Sequence, residues 1–317
     1  MIELAAQCPA KINLFLHVVG RRPDGYHLLE SIFCPIGLVD DLQLNLNPRQ
    51  DGRLVFHRTG PLLAIPEDKD LTVKACKAFF QLHPGSGWDV GIHVTKRIPE
   101  QAGLGGGSSN AAQVLRLLNK QFKYCIENDV LLNQALSLGA DVPFFMQDDS
   151  AFVEGIGEQI TPIRGLQASL LVYKPKENCP THEIFASSQL TRDSSPVKIA
   201  VFDSGGFAGS GKTWKLPDGS NQDGSNQGGM KVWRFINQHT RNSLQAVVEQ
   251  MLPSWQAKFQ EFSRAINVFQ PLVIRMSGSG SSWFAAFQHQ HEADQAHAVL
   301  VKAGYEQQGS LFKTWIK

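Results

Sequence analysis

Apolar residues alternate through the start of the chain, with Ala10, Ile12, Leu14, Leu16 and Val18 two positions apart. Period two predicts a strand or hairpin arm over residues 1–20, with Lys11 and Asn13 on its other face. Pro23-Asp24-Gly25 is a strong turn signal, and Leu28 to Phe33 reads as the next strand. LVDDLQLNLN and RLVFHR, within residues 38–58, predict two more strands joined by a turn at Asn47-Pro48. The spacing then turns helical over Leu71–Leu82, ended by Pro84-Gly85. Val90, Ile92 and Val94 alternate again as a half-buried strand. Ala111, Val114, Leu115 and Leu118 fall on one face of a helix. Val130 to Leu138 is a further helix closed by Gly139, and Ala151 to Val153 is strand-like.

A break in composition falls near Pro162–Gly165. Beyond it Leu170 to Tyr173 restarts as a strand, and Thr181 is expected to cap a helix, THEIFASSQ, with Glu183 in its first turn. Residues 203–230 are dominated by Gly, Ser, Asn, Gln and Asp, so a mobile loop is expected there. Trp233 to Leu252 and Trp255 to Ile266 read as helices, and LVIRMSGSGSSWFAAF as strand, tight turn, strand. Glu292 to Lys302 is a helix closed by Gly304, and Leu311 to Ile316 a last strand. That order of elements predicts an α+β second domain of split βαβ type. Two domains are expected, 1–164 and 165–317, the second carrying the polar insert.

The length of 317 residues and 42% hydrophobic content support two full cores. A formal net charge of +1 offers no basic surface for nucleic acid and no acidic tail. Cys8, Cys34, Cys76, Cys125 and Cys179 are odd in number and never at C-x-x-C spacing. That pattern argues against a disulfide framework and a zinc site, and favours reduced thiols in the cytosol. No signal-peptide pattern opens the sequence, and no apolar run is long enough for a bilayer. His289, His291 and His297 read as surface histidines, without the partner spacing of a metal site.

The stretch KRIPEQAGLGGGSSNAAQVLRLL, Lys96 to Leu118, changes this picture. Between a strand and a helix stand Gly103, Gly105, Gly106 and Gly107, then Ser108 and Ser109. Glycines let the backbone approach a ligand closely, and successive N–H groups with the helix dipole then hold a phosphate. Ser109 or Asn110 is expected to cap the helix. The stretch lacks the last glycine of G-x-G-x-x-G and the lysine of G-x-x-x-x-G-K-[ST]. Gly206 to Thr213, GFAGSGKT, does match the latter, but WKLPDGSNQDG after it cannot form the helix that a P-loop needs. Met276 to Ser282, MSGSGSS, is either a hairpin turn or a loop kept small so that it can approach the first glycine loop. Taken singly, Lys11 reads as a solvated strand charge, Tyr26 and His27 as cover for a core edge, and Asp141 as a turn residue.

PAKINLFLHVVGRRPDGYHLLESIF, IPEQAGLGGGSSNAA, LGADVPFF and MSGSGSSWFAAF nevertheless occur in one order. In that order they resemble the GHMP kinase superfamily. Within it, Lys11, Asn13, RPDGYH and GADVPFF resemble the kinases of 4-diphosphocytidyl-2-C-methyl-D-erythritol, over nearly the whole chain except 203–230. The resemblance implies an N-terminal domain like ribosomal protein S5 domain 2, and a C-terminal GHMP kinase domain of split βαβ, ferredoxin-like form. It implies that ATP lies on Pro99, Glu100, Gln101, Ala102, Gly103, Leu104, Gly105, Gly106, Gly107, Ser108 and Ser109. Its γ-phosphate is expected to pass to the substrate 2-hydroxyl, in the non-mevalonate route to isoprenoids, in a cleft between domains. Lys11 and Asp141 match the catalytic pair. Tyr26 and His27 match the cytosine-binding positions, with Asn13, Phe33, Thr181 and Phe185 lining that pocket. ATP and Mg²⁺ are the implied cofactors. The partner is a small molecule, with no nucleic acid and no membrane, for a cytoplasmic monomer or weak homodimer. The chain departs from the family pattern at Gln101, at Asp70, at Arg241 to Gln245 and in the insert.

Phosphoryl transfer needs positioning and charge neutralisation, so the expected roles are chemically coherent. The glycine loop has no lysine, and neutralisation falls to Mg²⁺, the loop amides and Lys11. A neighbouring Lys also favours an ionised Asp141, ready to accept the hydroxyl proton. Tyr26 offers a ring to stack on cytosine, and His27 a hydrogen-bonding group for the base edge. The rivals are a homoserine or mevalonate kinase, a P-loop NTPase, and an S5-like RNA-binding module that the near-zero charge disfavours.

Overall fold

The computed structural model describes all residues except 61–63, 84–86, 164, 198–199, 204–211 and 216–225. Strands β1 (Ile2–Arg21), β2 (His27–Arg49) and β3 (Leu54–Thr59) precede helix α1 (Leu71–Leu82). Strand β4 (Gly87–Thr95), helices α2 (Gly106–Gln121) and α3 (Asn128–Leu138), and strands β5 (Ser150–Gly155), β6 (Gln159–Ile163) and β7 (Ser169–Pro175) follow. Helix α4 (Thr181–Ala186) and strands β8 (Ala200–Asp203) and β9 (Lys212–Lys215) lead to helices α5 (Asn226–His239), α6 (Gln245–Met251) and α7 (Pro253–Ile266). Strands β10 (Val273–Met276) and β11 (Trp283–Phe287), helices α8 (Gln290–Lys302) and α9 (Tyr305–Gln308), and strand β12 (Gly309–Trp315) complete the chain.

Contacts divide the chain into two compact units whose segments interleave. The first comprises Met1–Ala10, Leu38–Glu100 and Gly105–Asp148. Here β2 pairs antiparallel with β4 from Asp41↔Thr95 to Arg49↔Gly87, and β3 pairs parallel with β4. Leu42, Leu44 and Leu46 of β2 and Val90, Ile92 and Val94 of β4 are buried, as the alternation requires. Helix α1 packs on α2, and Ala111, Val114, Leu115 and Leu118 of α2 are fully buried. The rings of Phe79, Phe80, Trp88 and Phe122 pack edge-on, tilted or, for Phe80 and Trp88, stacked, with centroids 5.4–6.1 Å apart.

The second unit comprises Lys11–Gly37, Gln101–Leu104 and Asp149–Lys317. Leu29 to Phe33 of β2 pair with β5, which pairs with β6. A separate antiparallel sheet has the order β10-β11-β7-β12, the split βαβ arrangement expected from the element order. Trp283 of β11 lies 5.0 Å from Tyr173 of β7 and 5.1 Å from Trp255 of α7, ring to ring. Buried Arg275 of β10 donates to the carbonyls of Leu14 (2.7 Å), Ile236 (3.3 Å) and Thr240 (2.8 Å), and to Thr240 Oγ1 (2.8 Å). It thereby fastens β1 and the end of α5 to the sheet.

Several boundaries differ from the sequence reading. β2 continues through Asn47-Pro48, and the chain turns instead at residues 50–52, where Arg49 grips Asp51 and Gly52 has φ 70°. The helix expected over Trp233–Leu252 breaks at residues 240–244. There Ser243 N donates to Leu16 O, and Asn242 Oδ1 accepts from Leu244 N, so pairing with β1 outweighs helical continuity. Helix α2 starts at Gly106 after a left-handed Gly105, so Ser109 and Asn110 lie inside it and do not cap it. Thr181 is the first residue of α4, after Pro180 at the cap position. His289 caps α8 in a reciprocal pair with Glu292. Of the expected mobile insert 203–230, Asp203 ends β8, Lys212–Lys215 form β9 paired antiparallel with β8, α5 begins at Asn226, and the rest lies outside the described residues. The Pro84-Gly85 helix end also lies outside them. Among the described residues no helix is long and apolar enough to cross a membrane.

Candidate active site

In the first unit the glycine loop is set by a buried carboxylate. Asp40 Oδ1 accepts from the backbone N–H of Arg97 (2.7 Å) and Ile98 (2.9 Å). Asp40 Oδ2 accepts from Lys96 Nζ (2.6 Å) and Asn110 Nδ2 (3.2 Å). Four charge-assisted bonds hold the exit of β4 against the first turns of α2. The first intrahelical bond is Ser109 N to Gly105 O, 2.9 Å, and Gly105 supplies no side-chain cap. The N–H groups of the first turn are therefore left for a ligand. A Cβ on Gly106 would stand 3.0 Å from Ile98 Cγ2, so the loop packs too closely for a side chain there. Ser109 Oγ, at the same helix start, is buried with no hydrogen-bond partner among the described residues. This cradle fits a phosphate group.

Asp141, half-buried, follows the end of α3 in a turn closed by Val142 N donating to Gly139 O, 3.0 Å. The 3-10 turn Pro143–Met146 comes next. Arg116 of α2 makes a two-pronged bond to Asp148, at 2.7 and 2.8 Å. The Asp141 turn is thus fastened to the helix that opens with the glycine loop.

In the second unit three distant motifs interlock. Lys11 N donates to Leu104 O (2.9 Å), and Ser282 N to Ala102 O (3.3 Å). Ser277 Oγ donates to Gly103 O (3.2 Å) and accepts from Asn13 N (3.3 Å). MSGSGSS is therefore both a hairpin turn and the close neighbour of residues 101–104. Lys11 is no solvated strand charge, being 3% exposed. Its Nζ donates to Asn13 Oδ1 (2.6 Å) and stands 4.6 Å from the Phe33 ring centroid. Asn13 Nδ2 donates in turn to Ser31 Oγ, 2.9 Å.

Of the expected site residues, the catalytic candidate Lys11 and the pocket residues Asn13 and Phe33 thus form one cluster. His27 and Phe185 form another, with rings 5.1 Å apart. Thr181 Oγ1 bonds to Ser279 Oγ of the second small-residue loop, 2.7 Å. Tyr26 is 60% exposed beside the turn, where a ring is available for stacking. His27 Nε2 accepts from Arg192 Nε, 3.0 Å. Burial, then Arg192 and Arg21, push the His27 imidazole below its ordinary range. The sequence reading missed the roles of Asp40 and Ser31, which stand in predicted strands as ordinary polar positions, and of Arg192, which stands in no motif.

The chain is 39% identical over 304 residues to the 4-diphosphocytidyl-2-C-methyl-D-erythritol kinase of Ralstonia nicotianae, covering 95% of this chain and 90% of that one. It belongs to the 4-diphosphocytidyl-2-C-methyl-D-erythritol kinase family. A Burkholderia ambifaria kinase of the same name is 38% identical, covering 92% of this chain and 88% of its own. Residues 70–148 match the GHMP kinases N terminal domain. A crystal structure of 4-(cytidine 5'-diphospho)-2C-methyl-D-erythritol kinase superposes with a TM-score of 0.71 at 27% identity, over 99% of this chain and 100% of that one. Homoserine kinase from Cytophaga hutchinsonii, 13% identical with a TM-score of 0.64, shares the fold. In this 4-diphosphocytidyl-2-C-methyl-D-erythritol kinase family chain residues 206–211 of the GFAGSGKT string lie outside the described residues. Lys212 and Thr213 open strand β9, where a P-loop would begin its helix.

Proposed function

We propose that Lys11 and Asp141 serve the acceptor hydroxyl while Pro99–Ser109 hold the phosphates of ATP. The chain is an ATP-dependent kinase that phosphorylates the 2-hydroxyl of 4-diphosphocytidyl-2-C-methyl-D-erythritol in the non-mevalonate route to isoprenoids. In the reaction the hydroxyl oxygen bonds to the γ-phosphorus, the bond to the β–γ bridging oxygen breaks, and ADP leaves. Asp141 accepts the hydroxyl proton. Lys11, kept in one pose by Asn13, offsets the negative charge on the transferring phosphoryl group. The open first turn of α2 takes phosphate oxygens through backbone N–H groups.

Mg²⁺, when bound, neutralises phosphate charge. In phosphate-transfer sites it keeps waters and phosphate oxygens and needs only one or two protein oxygens. The half-buried hydroxyl of Ser108, in the first turn of α2, is a donor of that hard kind. Tyr26, His27, Phe33, Thr181 and Phe185, with Asn13, take the cytidyl end. The halves 1–164 and 165–317 act as the nucleotide-binding and second GHMP domains, in a cytoplasmic monomer or weak homodimer. Five free cysteines, four of them buried, support a reducing compartment.

The observation that carries this reading is the interlock of Lys11, Leu104, Gly103, Ser277 and Asn13. It supports a functional pairing of PAKIN with the glycine loop. ADP release with ATP-Mg²⁺ and a panel of alcohols tests it. Turnover is expected with the cytidyl substrate; turnover with homoserine or mevalonate in its place would overturn it.

A further inference from the structure

An imidazole reads a base edge according to which nitrogen carries its proton. A guanidinium stays protonated and can only donate. Arg192 Nε–H points at His27 Nε2 at 3.0 Å, so Nε2 is the acceptor. In the neutral ring the single proton then sits on Nδ1. Arg192 is itself held on three carbonyls. Its Nη1 donates to Leu190 O (3.1 Å), and its Nη2 to Phe185 O (2.9 Å) and Ser187 O (2.8 Å). Two of those carbonyls, Phe185 O and Ser187 O, lie at the C-terminal end of α4, where the helix dipole favours a cation. One rigid fork therefore ties down the backbone that carries the Phe185 ring and orients the His27 ring 5.1 Å away.

We propose that Arg192 is a positioning residue for base selection: it fixes His27 with Nδ1–H as a donor, and the site thereby requires an acceptor that cytosine has and uracil lacks. This rests on the assignment of His27 to the base edge. The discriminating atom is N3, an unprotonated acceptor in cytosine and an N–H donor in uracil. Donor against donor leaves both groups unpaired when the base is bound, which is how hydrogen-bonding pockets reject a near-isostere. O2 is an acceptor in both bases and discriminates nothing. The charged groups acting on His27 are Arg192 and Arg21, and both disfavour a second proton on the ring. Arg21 is itself directed to Gly25 O, 3.2 Å.

Two measurements test this on the intact enzyme. ¹⁵N NMR of histidine-labelled protein, with H27Q to assign the signal, is expected to show His27 neutral at pH 7 with Nδ1 protonated. A proton on Nε2 would overturn the proposal without any Arg192 variant. Steady-state kinetics of R192Q and R192K are expected to show KM for the cytidyl substrate raised about tenfold and the cytidyl-over-uridyl preference reduced, with KM for ATP unchanged and kcat within about threefold. R192K keeps the charge but not the fork, so it is expected to recover little. Normal cytidyl KM and normal base preference in R192K would overturn the role even if R192Q failed to fold. If H27Q itself bound the cytidyl substrate normally, the base-edge assignment would be the part that failed; a defective H27Q beside a normal R192K would sink Arg192 alone.

Discussion

Gly103 and Ser277 approach so closely that a Cβ on Gly103 would be driven into the Ser277 carbonyl oxygen and would stand 3.0 Å from Gly280 O. Gly103 also has φ 72°, where an L side chain costs roughly 1–2 kcal/mol. Both neighbours are backbone and cannot swing aside. Gly103→Ala is therefore expected to lose about 2 kcal/mol or more of stability and to raise KM for ATP at least tenfold. Thermal unfolding and ADP-release kinetics check this. A variant normal in both would mean that the two loops need not touch.

Asp141→Asn is close in size but removes the carboxylate proposed to accept the hydroxyl proton. The expected result is a kcat lower by about 10²-fold or more, with ATP affinity nearly unchanged. Near-normal turnover would remove Asp141 from the proton transfer.

Two glycine-rich strings are candidates for ATP: the first leads into helix α2, whereas Lys212 of the second lies in strand β9. Gly106→Val should abolish ATP binding, because Ile98 already fills the space that a side chain would need. Lys212→Ala should leave KM for ATP within about twofold, since a strand offers no converging amides. Equilibrium nucleotide binding to both variants separates the sites. Loss with Lys212 and tolerance at Gly106 would reverse the assignment.

Arg275 is a structural cation rather than a catalytic one. Burial pulls its guanidinium down to about 10, and its bonds reach acceptors on three residues. Arg275→Met would strand buried carbonyls at about 1–3 kcal/mol each, so a total loss near 3 kcal/mol or above is expected. Denaturant unfolding measures it; a shift under about 1 kcal/mol would show that water replaces the bonds.

Stability should fall as the solution is acidified below pH 6.5. His17, 6% exposed, is held below its ordinary value of 6.5 chiefly by burial, with Arg241 and Arg275 adding to this and the Ser195 backbone opposing it. His27 and His297 are lowered as well, again chiefly by burial. Between 6.5 and the lowered values the unfolded chain binds protons that the folded one does not, so stability rises with pH in that window. His17→Gln is expected to flatten the slope of unfolding free energy against pH there. An unchanged slope would show that His17 does not titrate in that range.

The periodic elements were legible in the sequence because burial writes them directly. The alternation at Val90, Ile92 and Val94 and the face through Ala111, Val114 and Leu118 became β4 and α2. The split βαβ order was legible for the same reason. What was not legible depends on partners far along the chain. Nothing local marks residues 240–244 as a helix break, because the cause is Leu16, and Asn242 gives its Nδ2 to Met276 O and Gly278 O, both at 2.8 Å. Lys11 alone looks like a surface charge, and it is distant partners, among them Phe33 and the Leu104 carbonyl, that make it an interior one. Arg192 sits in TRDSS, where no pattern distinguishes a side chain that meets four acceptors from one that meets water.

Ile316 bridges to Ile36, Lys317 N donates to Pro35 O (2.9 Å), and Gly37 lies under the Trp315 ring, where a Cβ would stand 2.8 Å from its atoms. The middle of β2 is therefore completed by residues roughly 280 positions later. A ribosome adding ~5–20 residues per second needs tens of seconds to supply them. Throughout that interval the backbone at residues 35–37 lacks the strand end that covers it in the finished molecule. The nascent chain thus carries an open β edge for most of its synthesis, and that edge is where a chaperone would be needed or a second nascent copy would add in error.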